Sequence, residues 1–261
     1  MSSEERFKGA NIIDAGKLSP YWGEHVARYS FALSYVKDKV VLDIACGTGY
    51  GLAFLTLDAK SVTGVDVDID AAREAQLECG TNKTQVLLGD GTNLPFNDES
   101  FDVVTSFETL EHLHARNNFL AELRRVLKHD GTLILSTPNS NYTKPISGKP
   151  SNPFHVFEYA PSELKAELEN HFMVEKFLGQ NLSEAIKIPP FQDAQHRLPK
   201  DAATRTKLFC WKVFNKIPFV IREWLSELIW KAPFYPMASD YDFDENMVER
   251  APVLVAICSK N

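Results

Sequence analysis

The chain has 261 residues, 44% of them hydrophobic and 24% charged, which is the composition of a folded globular protein and argues against extensive disorder. Its formal net charge of −7 disfavours nucleic acid as a partner, because an acidic surface repels a phosphate backbone. The four cysteines lack CxxC spacing, and neither a signal-peptide pattern nor an apolar run of about 18 residues is present, so we expect a cytoplasmic protein with reduced thiols.

Strands and helices alternate along most of the chain. Ser19-Pro20 is a good N-cap and first-turn pair for a helix that ends near Val36. The short apolar run at 40–45 ends in glycines, which is typical of a buried strand. Further strands are predicted at 61–65, 84–88, 101–106, 132–136, 172–178 and 253–259, and helices at 69–79 and 116–127. The pattern predicts a Rossmann-like, doubly wound α/β fold with a mostly parallel seven-stranded sheet and helices on both faces.

The turn after the first predicted strand has the sequence CGTGYG. Glycines let a backbone turn sharply and approach a ligand closely. Leu52 stands where a dinucleotide fingerprint has its third glycine, which disfavours an NAD site. Asp43 lies at the end of the first strand, Asp66 ends the second in a position to accept both hydroxyls of a ribose, and Asp90 follows the third, near an adenine amino group. For any single aspartate, the alternative is an exposed loop carboxylate or a helix cap.

The stretch from residue 40 to 139 resembles the class I S-adenosylmethionine (SAM) dependent methyltransferases. The resemblance is carried by five segments in order: VLDIACGTGYG, VTGVDVD, LLGDGTNLPF, SFDVVTSFETLEHL and LRRVLKHDGTLILSTPN. It implies that SAM is the cofactor. By resemblance, the methionine moiety would be lined by Asp43, Ala45, Gly47 and Gly49, the ribose and adenine by Asp66 and Val67, the adenine edge by Asp90 and Gly91, and the surroundings of the sulfonium by Phe107. Ala45 replaces the commonest glycine of the motif.

The domain prediction follows from this core. An N-terminal helical segment (1–38) would cover the cofactor site, residues 39–178 would form the SAM-binding methyltransferase core, and 251–261 would supply its last strand. Residues 179–250 are punctuated by prolines and hold three of the four tryptophans. Because ligands of open α/β sheets bind beyond the carboxyl ends of the strands, this helical insertion is well placed to be a substrate cap.

Two carboxylates and an imidazole follow the fourth predicted strand. Glu108 lies three residues before Glu111 and four before His112, which would bring them together on one helical turn. His155 lies just past the fifth strand, in a neighbouring position. Two glutamates and two histidines with an open face suit Mg²⁺, Mn²⁺ or Zn²⁺, which could bind an acceptor hydroxyl and lower its pKa.

The same residues have other interpretations. A Glu-His pair after the fourth strand is common among SAM enzymes, in which Glu111 and His112 pack or hydrogen-bond without metal. His155 could be a metal-free general base or a satisfied loop histidine.

Finer resemblances bear on the acceptor. The ExxEH motif followed by a histidine before a Phe-Glu-aromatic run resembles the small-RNA 3′-terminal 2′-O-methyltransferases, and a related ExxEH occurs in ubiquinone-pathway O-methyltransferases. The segments ERF, GEHVARYSFA and NPFHVFEY resemble methyltransferases encoded with bacterial glycan-assembly enzymes, which implies a sugar hydroxyl of a surface polysaccharide or a lipid-linked glycan. In that resemblance Arg28 would face the SAM carboxylate; the alternative is a surface arginine on an amphipathic helix.

Residues 207–231 interleave aromatic and basic side chains. Such a stretch could lie at a membrane interface or cradle a lipid-linked substrate, and the alternatives are a core-packing helix or a homodimer contact.

The sequence therefore favours a SAM-dependent O-methyltransferase acting on a saccharide or another small hydroxyl compound. The rival enzymes are quinone or polyphenol O-methyltransferases, N-methyltransferases and RNA 2′-O-methyltransferases, the last disfavoured by net acidity. A SAM-binding scaffold without turnover and an NAD-dependent oxidoreductase are the alternatives from other classes.

Overall fold

The computed structural model describes residues 21–145, 149–150, 152–186 and 202–260. The predicted helix start at Ser19-Pro20 and the Glu5-Arg6-Phe7 segment lie outside the described residues. The strands are β1 (Val40–Ile44), β2 (Ser61–Asp66), β3 (Thr84–Leu88), β4 (Phe101–Phe107), β5 (Leu127–Pro138), β6 (Met173–Leu182), β7 (Tyr241–Asp244) and β8 (Val253–Ser259). The helices are α1 (Trp22–Val36), α2 (Tyr50–Leu55), α3 (Ile69–Cys79), α4 (Arg116–Val126), α5 (Ser140–Thr143), α6 (Pro161–Glu169), α7 (Ala202–Asn215) and α8 (Phe219–Trp230).

Within the described ranges the strands form one sheet in the order β3-β2-β1-β4-β5-β8-β6-β7. The first five strands in this order pair in parallel, and β8 runs antiparallel to both β5 and β6. The predicted doubly wound, mostly parallel fold is confirmed, but the predicted seven strands are one too few. The additional edge strand, β7, has only four residues, too few for its alternating pattern to stand out within the predicted cap.

Apolar residues on alternate strand positions cover both faces of the sheet. Leu42 of β1 belongs to a buried cluster with Phe119 of α4. Its neighbour Val41 belongs to a second cluster, which includes Val36 of α1 and Leu52 of α2. Because successive side chains of a strand point to opposite faces, this division places helices on both sides of the sheet.

The parallel register aligns the carboxyl ends of the central strands. Ile44 pairs with Val65 at the ends of β1 and β2, and Phe107 pairs with Ser136 between β4 and β5. The residues that follow these strands therefore emerge at one edge of the sheet, which is where ligands bind in open α/β folds.

Contacts divide the chain into two compact units, and the described residues of the second are 21–27, 182–186 and 202–241. The predicted cap began at 179 and ended at 250, whereas residues 179–181 and 242–250 belong to the first unit because β6 and β7 are strands of its sheet. In the second unit, Phe214 of α7 packs on Trp230 of α8 with ring centroids 5.3 Å apart. Among the described residues, no helix has both the length and the apolar character needed to cross a bilayer.

Candidate functional site

The turn between β1 and α2 has an unusual backbone. Ala45, Gly47 and Gly49 have φ angles of 61°, 57° and 88°, in the left-handed region that favours glycine. A Cβ added at Gly47 would meet no atom within 4 Å, so the turn exposes its backbone to open space. The side-chain oxygen of Thr48 is buried and has no hydrogen-bond partner among the described residues. The turn therefore combines room for a ligand with an unused polar group.

Asp66 fixes this turn against the end of β2. Its Oδ2 accepts a hydrogen bond from the amide of Gly47 at 2.8 Å, and its Oδ1 accepts one from the amide of Asp68 at 2.9 Å. A carboxylate oxygen has a second lone pair, so each oxygen keeps capacity to accept a further donor. Val67, the next residue, is 66% exposed at the same edge, an unusual position for an apolar side chain that follows a buried strand.

Asp43 is wholly buried and its carboxylate is used by the chain itself. Thr105 Oγ1 of β4 donates to its Oδ1 at 2.6 Å, and Tyr29 Oη of α1 donates to its Oδ2 at 3.1 Å. Burial raises the pKa of Asp43 to about 7, although these two hydrogen bonds oppose the shift. The structure thus links Asp43 to α1 and β4, and its predicted contact with a methionine moiety stays a prediction.

Tyr29 is a residue that the sequence analysis missed. Its ring makes edge contacts with Phe107 at 4.9 Å and Tyr50 at 5.4 Å between centroids. A Cβ at Gly51 would overlap the Tyr29 ring, at 2.0 Å from Cζ, so the third glycine of the turn makes room for this tyrosine. The CGTGYG pattern could have suggested a close neighbour at Gly51, but nothing in the sequence identifies that neighbour as Tyr29.

Asp90 and Gly91 lie in the loop after β3. Asp90 is exposed, and its Oδ1 caps the loop by accepting hydrogen bonds from the amide and hydroxyl of Thr92. A Cβ at Gly91 would meet the ring of Phe119 at 2.6 Å and Ile44 at 3.2 Å, so this glycine brings the loop close to the end of β1. Both predicted adenine-edge residues therefore lie at the edge that carries the glycine turn.

Arg28 is buried, with 1% of its surface exposed, so the alternative of a surface arginine is wrong. Its guanidinium donates to Gln180 Oε1 of β6 at 2.8 Å, and its positive charge lowers the pKa of Tyr50 and of Glu111 against the larger effect of their burial. Gln180 is a second residue that the sequence analysis missed. Arg28 thus supplies a buried positive charge between the glycine turn and the loop that follows β4.

A second cluster forms after β4. Glu111 lies in a single 3-10 turn, Leu110–His112, and is almost wholly buried. Its Oε2 accepts a hydrogen bond from Thr137 Oγ1 at 2.9 Å, whereas its Oε1 has no hydrogen-bond partner within the described part of the chain. Burial, reinforced by the negative charge of Glu108, raises the pKa of Glu111 well above its ordinary range. A buried carboxylate oxygen of this kind is costly unless a cation or a proton neutralises it.

Two histidines face this carboxylate. His112 Nε2 lies 3.7 Å from Glu111 Oε1, and the rings of His112 and His155 are 4.9 Å apart. His112 Nδ1 donates to the carbonyl of Phe154 at 3.1 Å, and His155 Nδ1 donates to Glu158 Oε1 at 2.6 Å. Each ring thereby has Nε2 as its basic nitrogen. The Nε2 of His155 accepts a hydrogen bond from the Asn152 amide at 2.9 Å, which a cation bound at that nitrogen would displace.

The structure brings together three of the four predicted metal ligands. One ligand atom each from Glu111, His112 and His155 lie within 4.8 Å of one another. Glu108 is outside this group: it has a φ of 52° before the turn begins, and its Oε1 accepts a hydrogen bond from Ser136 Oγ at 2.7 Å. The expectation of one helical turn from Glu108 to His112 is therefore wrong, because the left-handed residue at the end of β4 interrupts it.

The chemistry of the cluster fits a divalent cation. Two imidazoles and one carboxylate are a known ligand set for transition ions and Zn²⁺, and the partnerless Glu111 oxygen is an observation in favour of a bound cation. The Glu158 and Phe154 contacts are of the kind that orient metal-binding histidines from behind. Glu158 and Asn152 were missed in the sequence analysis, although both stand within three residues of His155.

Comparisons with known proteins agree with this architecture. Residues 42–135 match the family model of a methyltransferase domain. A "Probable S-adenosylmethionine-dependent methyltransferase" from Mycolicibacterium smegmatis is 35% identical over 161 residues, 61% of this chain and 62% of that protein. The phthiotriol/phenolphthiotriol dimycocerosates methyltransferase 1 of Mycobacterium ulcerans is 36% identical over 115 residues, 42% of each protein. A solved complex between the Haloferax volcanii Trm112 methyltransferase activator and a methyltransferase matches 95% of both chains with a TM-score of 0.58 and 20% identity.

These matches differ in what they establish. The structural likeness shows the fold, and the match to the methyltransferase-domain model covers residues 42–135, so the bounds 39–178 of the predicted core stay a prediction. The chain spans about three fifths of the length of the first relative and about two fifths of the second. The activity of the whole protein is therefore inferred from its own residues and not from these relatives.

Proposed function

We propose that the chain is a SAM-dependent methyltransferase that O-methylates a hydroxyl of a sugar, a glycan or another small molecule, with a divalent metal ion activating that hydroxyl. The observation that carries the proposal is the buried Oε1 of Glu111, which has no hydrogen bond from any described residue and lies 3.7 Å from His112 Nε2, at the sheet edge that also holds the glycine turn. One part of this edge suits a cofactor, and the other suits acceptor chemistry.

The cofactor part of the proposal rests on the glycine turn. The carboxylate of Asp66, the open space at Gly47 and the unused hydroxyl of Thr48 are compatible with a ribose and its linker. Asp90, Gly91 and Val67 extend the same edge toward an adenine, and Arg28 offers a positive charge for a carboxylate. SAM, when bound, supplies an electrophilic methyl group for in-line displacement.

The activating part rests on the Glu111–His112–His155 cluster. These side chains would hold the cation, while Glu158 and the carbonyl of Phe154 fix the orientation of the two rings. Because Glu108 lies outside the group, imidazole nitrogens outnumber carboxylates, which favours Mn²⁺ or Zn²⁺ over Mg²⁺. A bound cation lowers the pKa of a coordinated hydroxyl. In a metal-free alternative, His112 or His155 removes the acceptor proton directly.

The acceptor class is supported by resemblance and by the relatives. The glycan-cluster resemblance favours a sugar hydroxyl, and a vicinal diol could chelate the proposed cation. A second acceptor class is a hydroxyl on a lipid, since one relative is named for phthiotriol dimycocerosates. A lipid-linked glycan would combine both chemistries and would fit the predicted membrane or lipid contact of residues 207–231. The cytoplasmic location and a homodimer stay predictions.

The proposal is tested by calorimetric titration of the purified chain with SAM, followed by methyl-transfer assays on sugar and lipid-linked diols with EDTA, Mg²⁺, Mn²⁺ or Zn²⁺. We expect SAM to bind without metal, and turnover to require Mn²⁺ or Zn²⁺. Turnover that EDTA leaves unchanged would contradict the metal and favour a histidine base. Failure to bind SAM would contradict the proposal that the chain is a SAM-dependent methyltransferase. SAM binding without turnover on any acceptor would favour the scaffold alternative.

A further inference from the structure

The charge of the helical segment 202–231 differs from that of the rest of the chain. It contains six basic and two acidic residues, whereas the whole chain has a formal net charge of −7. Of the two acidic residues, Glu223 is turned inward, where its carboxylate accepts hydrogen bonds from the amides of Phe234 and Tyr235. The exposed charge of the segment is therefore positive on an otherwise acidic protein.

Helix α8 has two opposite faces. Arg222 and Ser226, four residues apart, are buried, and the Arg222 guanidinium lies over the rings of Phe234 and Tyr235 at 4.5 and 4.9 Å. These contacts attach one face of the helix to the core of the second unit. The other face is therefore turned away from that core.

The outer face of α8 is apolar and exposed. It carries a stripe of residues at i, i+4 and i+8, rotated by about half a turn from Arg222 and Ser226. Here "the α8 stripe" denotes Val220, Trp224 and Leu228, which are 77%, 62% and 55% exposed. Ile221 beside the stripe is also exposed, as is Glu227, an acidic residue at its margin. Burying such a stripe stabilises a complex in proportion to its area, and no described residue of the second unit covers it.

Basic residues flank the stripe at both ends of the helix. Lys212 and Lys216 precede α8 and Lys231 follows it, and all three are exposed. A tryptophan and aliphatic residues on one face, with lysines at the margins, are the composition of helices that lie in a membrane interface. Lysines attract the anionic headgroups while the apolar side chains enter the acyl boundary.

We propose that the α8 stripe, with its flanking lysines, docks on the surface of an anionic lipid bilayer. The occupant follows from the combination of charge and apolar exposure: lysines beside an exposed apolar stripe match the anionic headgroups and the acyl chains of a lipid surface. The inference is independent of methyl transfer, since it requires neither SAM nor an acceptor.

The test is flotation of the full chain with vesicles of phosphatidylcholine alone or with a phosphatidylglycerol fraction, at low and high salt. We expect binding to the anionic vesicles that weakens as salt rises. Lys212→Gln combined with Lys216→Gln should weaken it about tenfold or more, since each lysine contributes about fivefold. Trp224→Ser combined with Leu228→Ser should also weaken it about tenfold.

The matched control is Leu57→Ser combined with Leu77→Ser, which removes two apolar side chains that are 70% and 85% exposed in the first unit. This variant should bind vesicles like the unmodified chain. Circular dichroism and thermal unfolding check that each variant is folded. Equal binding to neutral and anionic vesicles, no binding, or unchanged binding in the α8 variants would each overturn the proposal. A dimer in solution that the Trp224 and Leu228 changes dissociate, without vesicle binding, would assign the stripe to a second copy.

Discussion

The glycine turn and the Glu111–His112–His155 cluster lie at the same edge of the sheet but are built in different ways. The turn is made from residues close together in sequence, and its conformation is set by backbone angles and by the Asp66 carboxylate. The cluster joins a short turn to a loop more than forty residues later. The amides of Val156 and Phe157 donate to the carbonyl of Glu111 at 2.8 and 3.2 Å and hold that loop in place.

The two regions also differ in how their polar atoms are satisfied. Asp43 beside the turn has both oxygens hydrogen-bonded by the chain, whereas Glu111 in the cluster keeps one buried oxygen without a hydrogen bond. A buried polar atom without a partner costs free energy that evolution removes unless the atom has a use. Asp43 is therefore satisfied within the chain, whereas the Thr48 hydroxyl of the turn and the Glu111 oxygen of the cluster each keep the capacity to contact a bound species.

The largest effect should come from the cluster. Glu111→Gln and His155→Ala should each lower the turnover rate by about 10²–10⁴-fold, because they remove a cation ligand or a proton acceptor. The affinity for SAM should stay within about twofold, since these residues lie outside the glycine turn, and calorimetry measures it. His129→Ala, at an exposed histidine that pairs with Asp130 and lies outside the cluster, is the matched control. Unchanged turnover in both cluster variants would contradict a role of the cluster in methyl transfer.

The next largest effect is the change of stability with pH that the buried, hydrogen-bonded Asp43 should cause. Because burial raises its pKa to about 7, the folded state holds a proton that the unfolded state releases near pH 4. The contribution of Asp43 to the free energy of unfolding is therefore fully present at low pH and is lost as pH rises through about 7. Between pH 5 and pH 8 we expect the free energy of unfolding to fall by about 3 kcal/mol relative to Asp43→Asn.

Urea unfolding of both proteins across that range measures the difference. The titratable groups that interact with Asp43 are Tyr29, Cys46, Tyr50 and Asp66, and none of them supplies a positive charge that would reverse the sign. A stability difference that is flat with pH would show that Asp43 is ionised in the folded protein.

Asp66 tests the open side of the glycine turn. Asp66→Ala should weaken SAM binding by about 1.5–3 kcal/mol, the value of hydrogen bonds to a charged group. It also releases the Gly47 amide, so part of the loss could come from the turn. Asp66→Asn, which keeps an oxygen that can accept the hydrogen bond of the Gly47 amide but loses the charge, separates the two effects. Equal SAM affinity in the Asp66→Ala variant and the unmodified chain would exclude a ribose contact.

Much of the fold could be predicted because its elements are local. The strand at 84–88, the strand at 253–259 and the helix at 69–79 match the structure residue for residue, since each has a strong apolar period and clear ends. β5 was predicted as five residues but extends from Leu127 to Pro138. Its first part is partly exposed and polar, so the apolar pattern marks only the half that is buried on both faces.

The site was predictable to a lesser degree, for a physical reason. Glycine spacing reports backbone conformation directly, so the turn could be located from sequence. Contacts between side chains that are distant in sequence have no comparable sequence pattern. The hydrogen bonds of Arg28 with Gln180 and of Thr137 with Glu111 depend on how the strands are arranged in the folded chain. Glu108 was misplaced because its spacing to Glu111 suits a helix, whereas its backbone is left-handed.

The smallest effect lies in the backbone of the glycine turn itself. Ala45 has a φ of 61°, a conformation that costs a residue with a Cβ about 1 kcal/mol. Ala45→Gly should therefore leave the free energy of unfolding unchanged or raise it by up to about 1 kcal/mol, since relief of strain outweighs or offsets the added freedom of the unfolded chain. Ala53→Gly, in the middle of α2, should instead lower it by about 1 kcal/mol. Urea unfolding of the two variants gives the comparison, and a loss of equal size in both would mean that the turn relaxes away from the left-handed conformation in solution.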